Sequence, residues 1–559
     1  MLKAEVKALR QTGDRLFSAK QPYDSRNQAI ADQFYVERAD FTRPFDVGEE
    51  YAGHLMTGYP SMVRRDLANQ IGTMLRPRGK QWFKLSVGDD LRDGEAETDG
   101  DVSYDAQRWL DYAGTVQRRA MYDRTAMFTK ATKEGDHDFA TFGGCAISTE
   151  LNLAENALLY RCWHLRDMAW LDDSYGKLRQ IHRNWSPQLG ELDQYKKLDI
   201  HPTLRRRMEQ DKDGTGTAKI RHIMITSEEY GEKAFRRFPW VSIFIDCEND
   251  HLMAEAGSWT RVYTLPRWAT VSGSQYPYSP ATVIALPDAR LLQAMTLTLL
   301  DAGERSVNPP MVGVSEALRG DLNLYPGGFT AVDKEYDERL GEVLRPLTND
   351  SRNLGYGIDI ADRTTAFIRE ALYLNTLSLP VSQVEMTAYE TGQRVEEYIR
   401  NALPLFEPME AEYNGDLCDI SFDTILYAGG FGPVEAIPDD IQGLETFFQF
   451  RSPLSEMVDK QKGQLFLEGK QILAEALSAV PEEQQPDIAA TMDFGATLRD
   501  VLRGIGTPEK WLRSPDEIEA ARSQREQGQQ SAQLLAHMDQ GATIAEKLGN
   551  ARNAMAQGV

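Results

Sequence analysis

Residues 273–328 read GSQYPYSPATVIALPDARLLQAMTLTLLDAGERSVNPPMVGVSEALRGDLNLYPGG, and this stretch decides the fold. Its opening, Gly273-Ser274-Gln275-Tyr276-Pro277-Tyr278, is turn-rich and leads into Ser279-Pro280. A serine side chain can accept a hydrogen bond from an orphan N–H of a first helical turn. Proline suits the first helical position because its missing N–H would be unpaired there anyway. A helix is therefore expected from Pro280. Pro287 should interrupt or kink it, with Asp288 able to re-cap the second half. Leu291, Leu292, Met295, Leu299 and Leu300 recur at three- and four-residue spacing and give one apolar face. Asp301, Glu304 and Arg305 return the chain to water, and Asn308-Pro309-Pro310 stops the helix. A mixed excursion follows, closed by the turn Tyr325-Pro326-Gly327-Gly328.

The order of these signals is Tyr-x-x-Ser-Pro, Ala-Leu-Pro-Asp, a leucine-rich helix, Pro-Pro and Pro-Gly-Gly. It resembles the head-to-tail connector (portal) proteins of short-tailed, T7-like bacteriophages. Further matches come in the same order along the chain, from about Leu55 to Ile518. A helix from about Pro60 to Leu75 is followed by Pro77 and Trp82-Phe83-Lys84-Leu85. Asp138-x-x-x-Phe142-Gly143 ends a helix before a strand. Met386-Thr387-Ala388 opens a long helix, and Ser514-Pro515-x-Glu517-Ile518 opens another. The acidic insert 89–101 and the segment 325–356 depart from the pattern.

The resemblance implies an α+β, mainly α, portal fold with a β-containing wing, a helical stem, a clip and a C-terminal helical crown. Its parts would be the wing at 1–272, the descending stem helix at 273–305 and the clip at 306–357. The ascending stem helix would follow at 358–373 and the tunnel loop at 374–381. The long helix and the rest of the wing would take 382–450, and the crown 451–559. In such a protein Leu291, Met295 and Leu299 would pack subunits together. Leu374, Asn375, Thr376, Leu377, Ser378 and Leu379 would face the DNA channel. Pro309, Pro310, Met311 and Arg319 would meet the motor or adaptor. The implied assembly is a twelve-subunit ring at one capsid vertex of the virion, made in the host cytoplasm. Its implied partners are double-stranded DNA, the terminase large subunit, a tail adaptor, and the major capsid and scaffolding proteins, with no membrane. It would have no catalytic residues, no metal and no cofactor.

Composition agrees with a conduit rather than a clamp. The 559 residues carry 62 Lys and Arg against 85 Asp and Glu, a net charge of −23. Gripping nucleic acid by phosphate neutralisation needs a basic surface, whereas an acidic wall repels phosphate. Cys145, Cys162, Cys247 and Cys418 lie far apart with no C-x-x-C pair, so reduced thiols are expected. The N-terminus lacks an apolar h-region, so no signal peptide is expected. Leu291–Leu300 is too short to span a bilayer.

Elsewhere, Tyr104–Lys133 reads as one long helix with Trp109, Tyr112, Val116, Met121 and Phe128 inward. Strands are expected at 157–162, 168–171, 178–183, 220–225, 240–246 and 259–265, and a helix at 202–210 that carries Arg205, Arg206 and Arg207. Ile360–Tyr373 reads as a helix with Ala366, Phe367, Ala371 and Leu372 inward, and 374–380 as an uncharged loop. Ser382 and Glu385 form a capping box, and residues 420–438 read as mixed structure. Arg76, Arg78, Lys80 and Lys84 form a basic cluster. It is either a solvated loop or a contact to DNA or a neighbouring acidic subunit.

Several chemistries are excluded by residue type. No Gly-x-x-x-x-Gly-Lys-Ser/Thr loop is present, so the chain is not the ATP-burning motor. Asp211-Lys212-Asp213-Gly214-Thr215-Gly216 starts like a calcium loop, but Lys219 and His222 stand where oxygen ligands are needed, so it is read as a turn. Asp136-His137-Asp138 and Cys162-Trp163-His164 lack a paired half for metal binding. The rival functions are a cytoplasmic hydrolase built from dispersed carboxylates, such as a glycosidase, and another virion structural protein, a scaffold or tail component.

Overall fold

The run Ile220-Arg221-His222-Ile223-Met224-Ile225-Thr226 is rich in β-branched side chains, which pack well on a pleated surface. In the computed structural model it is the central strand of a five-stranded sheet. The structure describes residues 3–43, 49–50, 52–79, 81–87, 103–152, 154–194, 198–211, 213–307, 309–313, 344–346, 354–377, 400, 409–433, 437–450, 469–473, 498, 502 and 523. The chain divides into two units, residues 1–83 with 116–431 and residues 84–115 with 432–559.

In the first unit, helices α1 (Lys3–Ala19), α2 (Gln21–Phe34) and α3 (Tyr59–Leu75) come first. Further on, α5 (Phe128–Phe142) leads into β2 (Ala146–Asn152) and β3 (Ala157–Trp163). The five-stranded sheet comprises β4 (Met168–Asp172), β5 (Leu178–Trp185), β6 (Ile220–Thr226), β7 (Trp240–Asp246) and β8 (His251–Ser258), each antiparallel to its neighbour. Helices α6 (Pro202–Gln210) and α7 (Ser227–Tyr230) lie between its strands in sequence. Register sets Ile223 opposite Ile243, so the odd-numbered residues share one face. Val6 of α1 packs there on Ile223, Ile225, Val241, Ile243 and Ile245. Another cluster joins Leu189, Leu192, Leu204, Ala218, Ile220 and Met253. A smaller sheet has the order β3-β2-β9, with β9 at Tyr263–Thr264.

Two polar contacts fasten the helices to this frame. The Lys20 ammonium is fully buried, yet it donates to Leu165 O (2.6 Å), Met168 O (2.8 Å) and Arg166 O (3.1 Å) and pairs with Asp24. All its donors are used, which is the condition for burying a charge. Arg267 reaches both Asp172 at the end of β4 (2.9 Å) and Glu412 (3.3 Å).

The remaining elements of the first unit are α8 (Pro280–Val307), β10 (Met311–Gly313), β11 (Leu344–Pro346), α9 (Leu354–Ala371) and α10 (Leu374–Leu377). A π-helical turn (Glu410–Gly415) then leads into α11 (Asp416–Tyr427). In the second unit β1 (Phe83–Val87) pairs with β12 (Thr446–Phe450). Helix α4 (Tyr104–Met121) supplies residues to both units. The protein is thus mixed helix and sheet. The expected strands 157–162, 168–171, 178–183, 220–225 and 240–246 and the helix 202–210 form within a residue or two of their expected bounds.

Several expectations are corrected. Tyr104–Lys133 is two helices, broken at residues 122–127. Asp123 accepts hydrogen bonds from the Thr125 backbone N–H (2.9 Å) and hydroxyl (2.7 Å), a local turn that competes with helix. Tyr112 is exposed rather than inward. The strand at 259–265 shrinks to Tyr263–Thr264, and β8 precedes it. Residues 416–427 are helical, with Leu417, Cys418, Ile420, Ser421, Phe422 and Ile425 buried. On α9 the inward positions are Thr364 and Ile368, and the expected Leu372 just past its end is buried, while Ala366 and Phe367 are exposed. The helix expected from Ser382, the cap at Ser514, Arg319 and most of the expected crown lie outside the described residues.

Candidate channel and subunit-contact site

Helix α8 begins where Ser279 and Pro280 predict. The Thr282 N–H donates to Ser279 Oγ at 3.4 Å, and the same hydroxyl donates to Ala140 O at 2.8 Å. Thr282 Oγ1 donates to Thr141 O at 2.7 Å. These bonds root α8 on the end of α5. Gly143, which closes α5, has φ +80°, and a Cβ there would lie 2.0 Å from the Tyr278 carbonyl carbon. Only glycine permits that approach.

The first half of α8 is held by its own chain. Ala281, Thr282, Ala285, Ala289, Leu292 and Gln293 are buried. Gln293 Oε1 accepts from the backbone N–H groups of Met56 (2.7 Å) and Thr57 (3.0 Å), and its Nε2 donates to Thr57 O (2.8 Å). This clamp was missed from sequence. Its one signal was a polar residue beside Leu292 on an otherwise apolar face. Pro287 lies inside one continuous helix and does not split it.

Apolar side chains are open on both sides of this clamp, and Ile284 before it is 60% exposed. Leu297 is 46% exposed and Leu300 58%, and Leu291 is 45% exposed nearer the root. Met295 and Leu299 are half-buried. A Leu299 methyl lies 3.0 Å from where a Cβ on Gly357 would stand, so Leu299 packs on α9 of the same chain. The three residues expected to bind a neighbour therefore divide: Leu291 is open to solvent, whereas Leu299 is already partnered. The end of α8 meets the start of α9, so the two helices run antiparallel. Between them in sequence, β10 and β11 pair antiparallel, with Met311 opposite Pro346. Pro309 is half-buried and Pro310 exposed.

Helix α8 is long and apolar enough to cross a membrane by length and composition, with a best-window mean hydropathy of 1.4. The sequence estimate from Leu291–Leu300 alone understated it. Its first turns, however, are bonded into the protein core, and Asp301, Glu304 and Arg305 occupy its far end.

After α9 the chain turns at Tyr373, whose φ is +57°. The expected uncharged loop instead starts with the helical turn α10. Leu374 is buried and lines a cavity of about 340 Å³ with Tyr59, Met62, Val63 and Arg369. Burial of this one leucine favours helix over loop. Asn375 Oδ1 accepts from Arg369 Nε at 3.1 Å, Asn375 is exposed and Thr376 is half-buried. The Leu377 side chain, Ser378 and Leu379 lie outside the described residues.

The basic cluster after α3 is not one surface. Arg76 is buried. It pairs with Asp136, donates to Asn414 Oδ1 (2.8 Å) and lies over the Tyr413 ring (4.5 Å). Burial, the largest single influence, works against its charge, but its partners, led by Asp136, together outweigh that and raise its pKa. Arg78 is exposed, and Lys80 lies outside the described residues. All four cysteines are free thiols. Among the described residues no group of three His, Cys, Asp or Glu side chains could hold a metal ion.

The chain matches the model of the bacteriophage head to tail connecting protein family over residues 6–512. It therefore belongs to that family, the connector (portal) class its motifs resemble. It is 27% identical over 326 residues to the probable portal protein of Bordetella phage BPP-1. That alignment covers 56% of this chain and 55% of the relative, so the chain spans about half the length of the curated relative it matches. A chain from the virion of a native gene transfer agent particle aligns with 82% of this chain and 99% of its own length, at 9% identity. The TM-score of that alignment is 0.33.

Proposed function

We propose that this chain is the portal subunit of a short-tailed phage. Twelve copies would ring one capsid vertex, pass double-stranded DNA inward during packaging and outward during ejection, and dock the terminase large subunit and then a tail adaptor. Assembly would start with the scaffolding and major capsid proteins. In this reading α8 and α9 are the stem, β10 and β11 the base of the clip, and the chain after Tyr373 the tunnel loop. The observation that carries the proposal is the open apolar side of α8 beyond its buried root. Leu297 and Leu300, three residues apart and so on one face, are about half exposed, an arrangement that calls for a neighbouring subunit.

The mechanism is geometric and electrostatic. A net charge of −23 per subunit gives a wall that repels phosphate. The tunnel segment carries no charge, so DNA meets weak, exchangeable hydrogen bonds from Asn375, Thr376 and Ser378 rather than a phosphate clamp. Negative-stain imaging of the purified protein should show rings with a central hole, and a stable monomer at micromolar concentration would end the proposal.

The tunnel assignment has its own test. Replacing Asn375 and Ser378 together by lysine should leave rings intact, impair packaging or ejection, and make empty rings bind duplex DNA in a salt-dependent way. Unchanged packaging and DNA binding would reject it.

A further inference from the structure

Within the basic cluster after α3, Arg78 stands apart from the buried Arg76. Arg78 lies at a cleft of about 420 Å³, lined from α3 and α5 by residues that include Lys133. Both cations are exposed, and neither forms an ion pair among the described residues. Arg118 Nη2 donates to Arg78 O at 3.0 Å, which sets a third cation beside Arg78. Among the described lining residues the one carboxylate is Asp136, already paired with Arg76. His137, also in the lining, is neutral, because burial and then Arg64 hold its pKa down to about 4. The walls include Tyr122, Phe128, Ala68 and Pro77. The cleft thus offers two unneutralised cations against partly apolar walls, in a chain that is otherwise strongly acidic.

We propose that this cleft receives an aspartate or glutamate side chain from a second copy of the chain. Charge complementarity selects that occupant: with 85 acidic against 62 basic residues, a neighbouring copy presents carboxylates in excess. The volume suits one or two side chains. A duplex would instead need a broad basic surface with many phosphate contacts. Apolar walls lower the local dielectric, so a carboxylate entering between Arg78 and Lys133 is held more strongly than on an open surface. The inference rests on the ring reading above, and its test separates the two.

Rings are assembled from equal amounts of ¹⁵N-labelled and unlabelled protein and treated with a carbodiimide, which joins a lysine to a carboxylate only at touching distance. The expected product is a Lys133 peptide linked to an Asp or Glu peptide, with mixed-isotope pairs that mark it as intersubunit. Arg78→Glu with Lys133→Glu should raise the protein concentration needed for ring formation about tenfold or more at low salt, with a smaller effect at high salt. If that variant unfolds, Arg78→Gln with Lys133→Gln should give a weaker shift in the same direction. Wild-type protein that never forms rings defeats the ring reading itself. Rings in which Lys133 stays unlinked, or links only within its own copy, overturn this proposal alone. So does inorganic phosphate that protects Lys133 from acetylation in unassembled protein, which would mark a small-anion site.

Discussion

Arg76 and Asp136 face each other where little solvent reaches, joined by Asn414 and roofed by the Tyr413 ring. Arg76→Leu would strand a buried carboxylate and should cost about 3–5 kcal/mol in denaturant unfolding. Asp136→Leu added to it should recover much of the loss, because the unpaired charge is then gone. Local sequence could not show this pair. Arg76 stands beside Arg78 and Lys80 in a charged run, and its partners come from two other helical segments. Gly143 was legible as a motif, but its reason was not. The carbonyl of Tyr278 occupies the place of a side chain, and φ is +80°. Gly143→Ala should lose more than about 2 kcal/mol, again by equilibrium unfolding. A loss under half of that would show the α5–α8 junction to be softer than the contact implies.

Among the elements, those with strong local signals were readable. Pro280 at the first helical position, the β-branched run at 220–225 and Pro202 before the arginines each mark an element that forms. The failures have two causes, a local side-chain turn that competes with helix and tertiary contacts that override local pattern. Asp123 and Thr125 close a turn inside an otherwise helical stretch. Glycine and polar residues hide α11, yet its inward face is buried. Leu374 binds beside α3 and makes a helical turn of what reads as loop. For α8 the leucine spacing was visible, but not which leucines α9 already covers. Glutamate at Leu297 and Leu300 together should therefore leave the fold intact, since both are about half exposed, while preventing ring assembly. Sedimentation paired with circular dichroism checks this. Rings of normal size would mean that this side of α8 faces no subunit.

At the scale of the whole molecule, the half-buried His137 and the buried His182 contribute to the response to acid. Burial holds the pKa of His137 down to about 4 and that of His182 to about 3, in each case with a nearby arginine adding to the effect. In the unfolded chain both would titrate near 6.5. Their contribution to stability is fully present above that value. It is lost progressively as pH falls, because the unfolded chain takes up protons that the folded one refuses. The melting temperature should drop between about pH 7 and about pH 5. His137→Gln should flatten that slope, and an unchanged slope would show that other groups control it. The acidic balance of the chain was plain from composition. Its uneven distribution was not: Arg78 and Lys133, far apart in sequence, line one cleft.

Pro287 has a mechanical consequence. Its nitrogen has no hydrogen to give, so the carbonyl of Val283 lacks its partner in the ladder. That gap lies in the first half of α8, where Val283 and Pro287 are exposed, between the Thr282 bond to Thr141 and the Gln293 clamp. A rod held at two points and weakened between them yields there under sideways load, while the length beyond the second grip moves as a stiff lever. Force applied near Val307 would thus reach Thr57 through the Gln293 clamp, and the stretch around Pro287 would absorb part of it before Thr141.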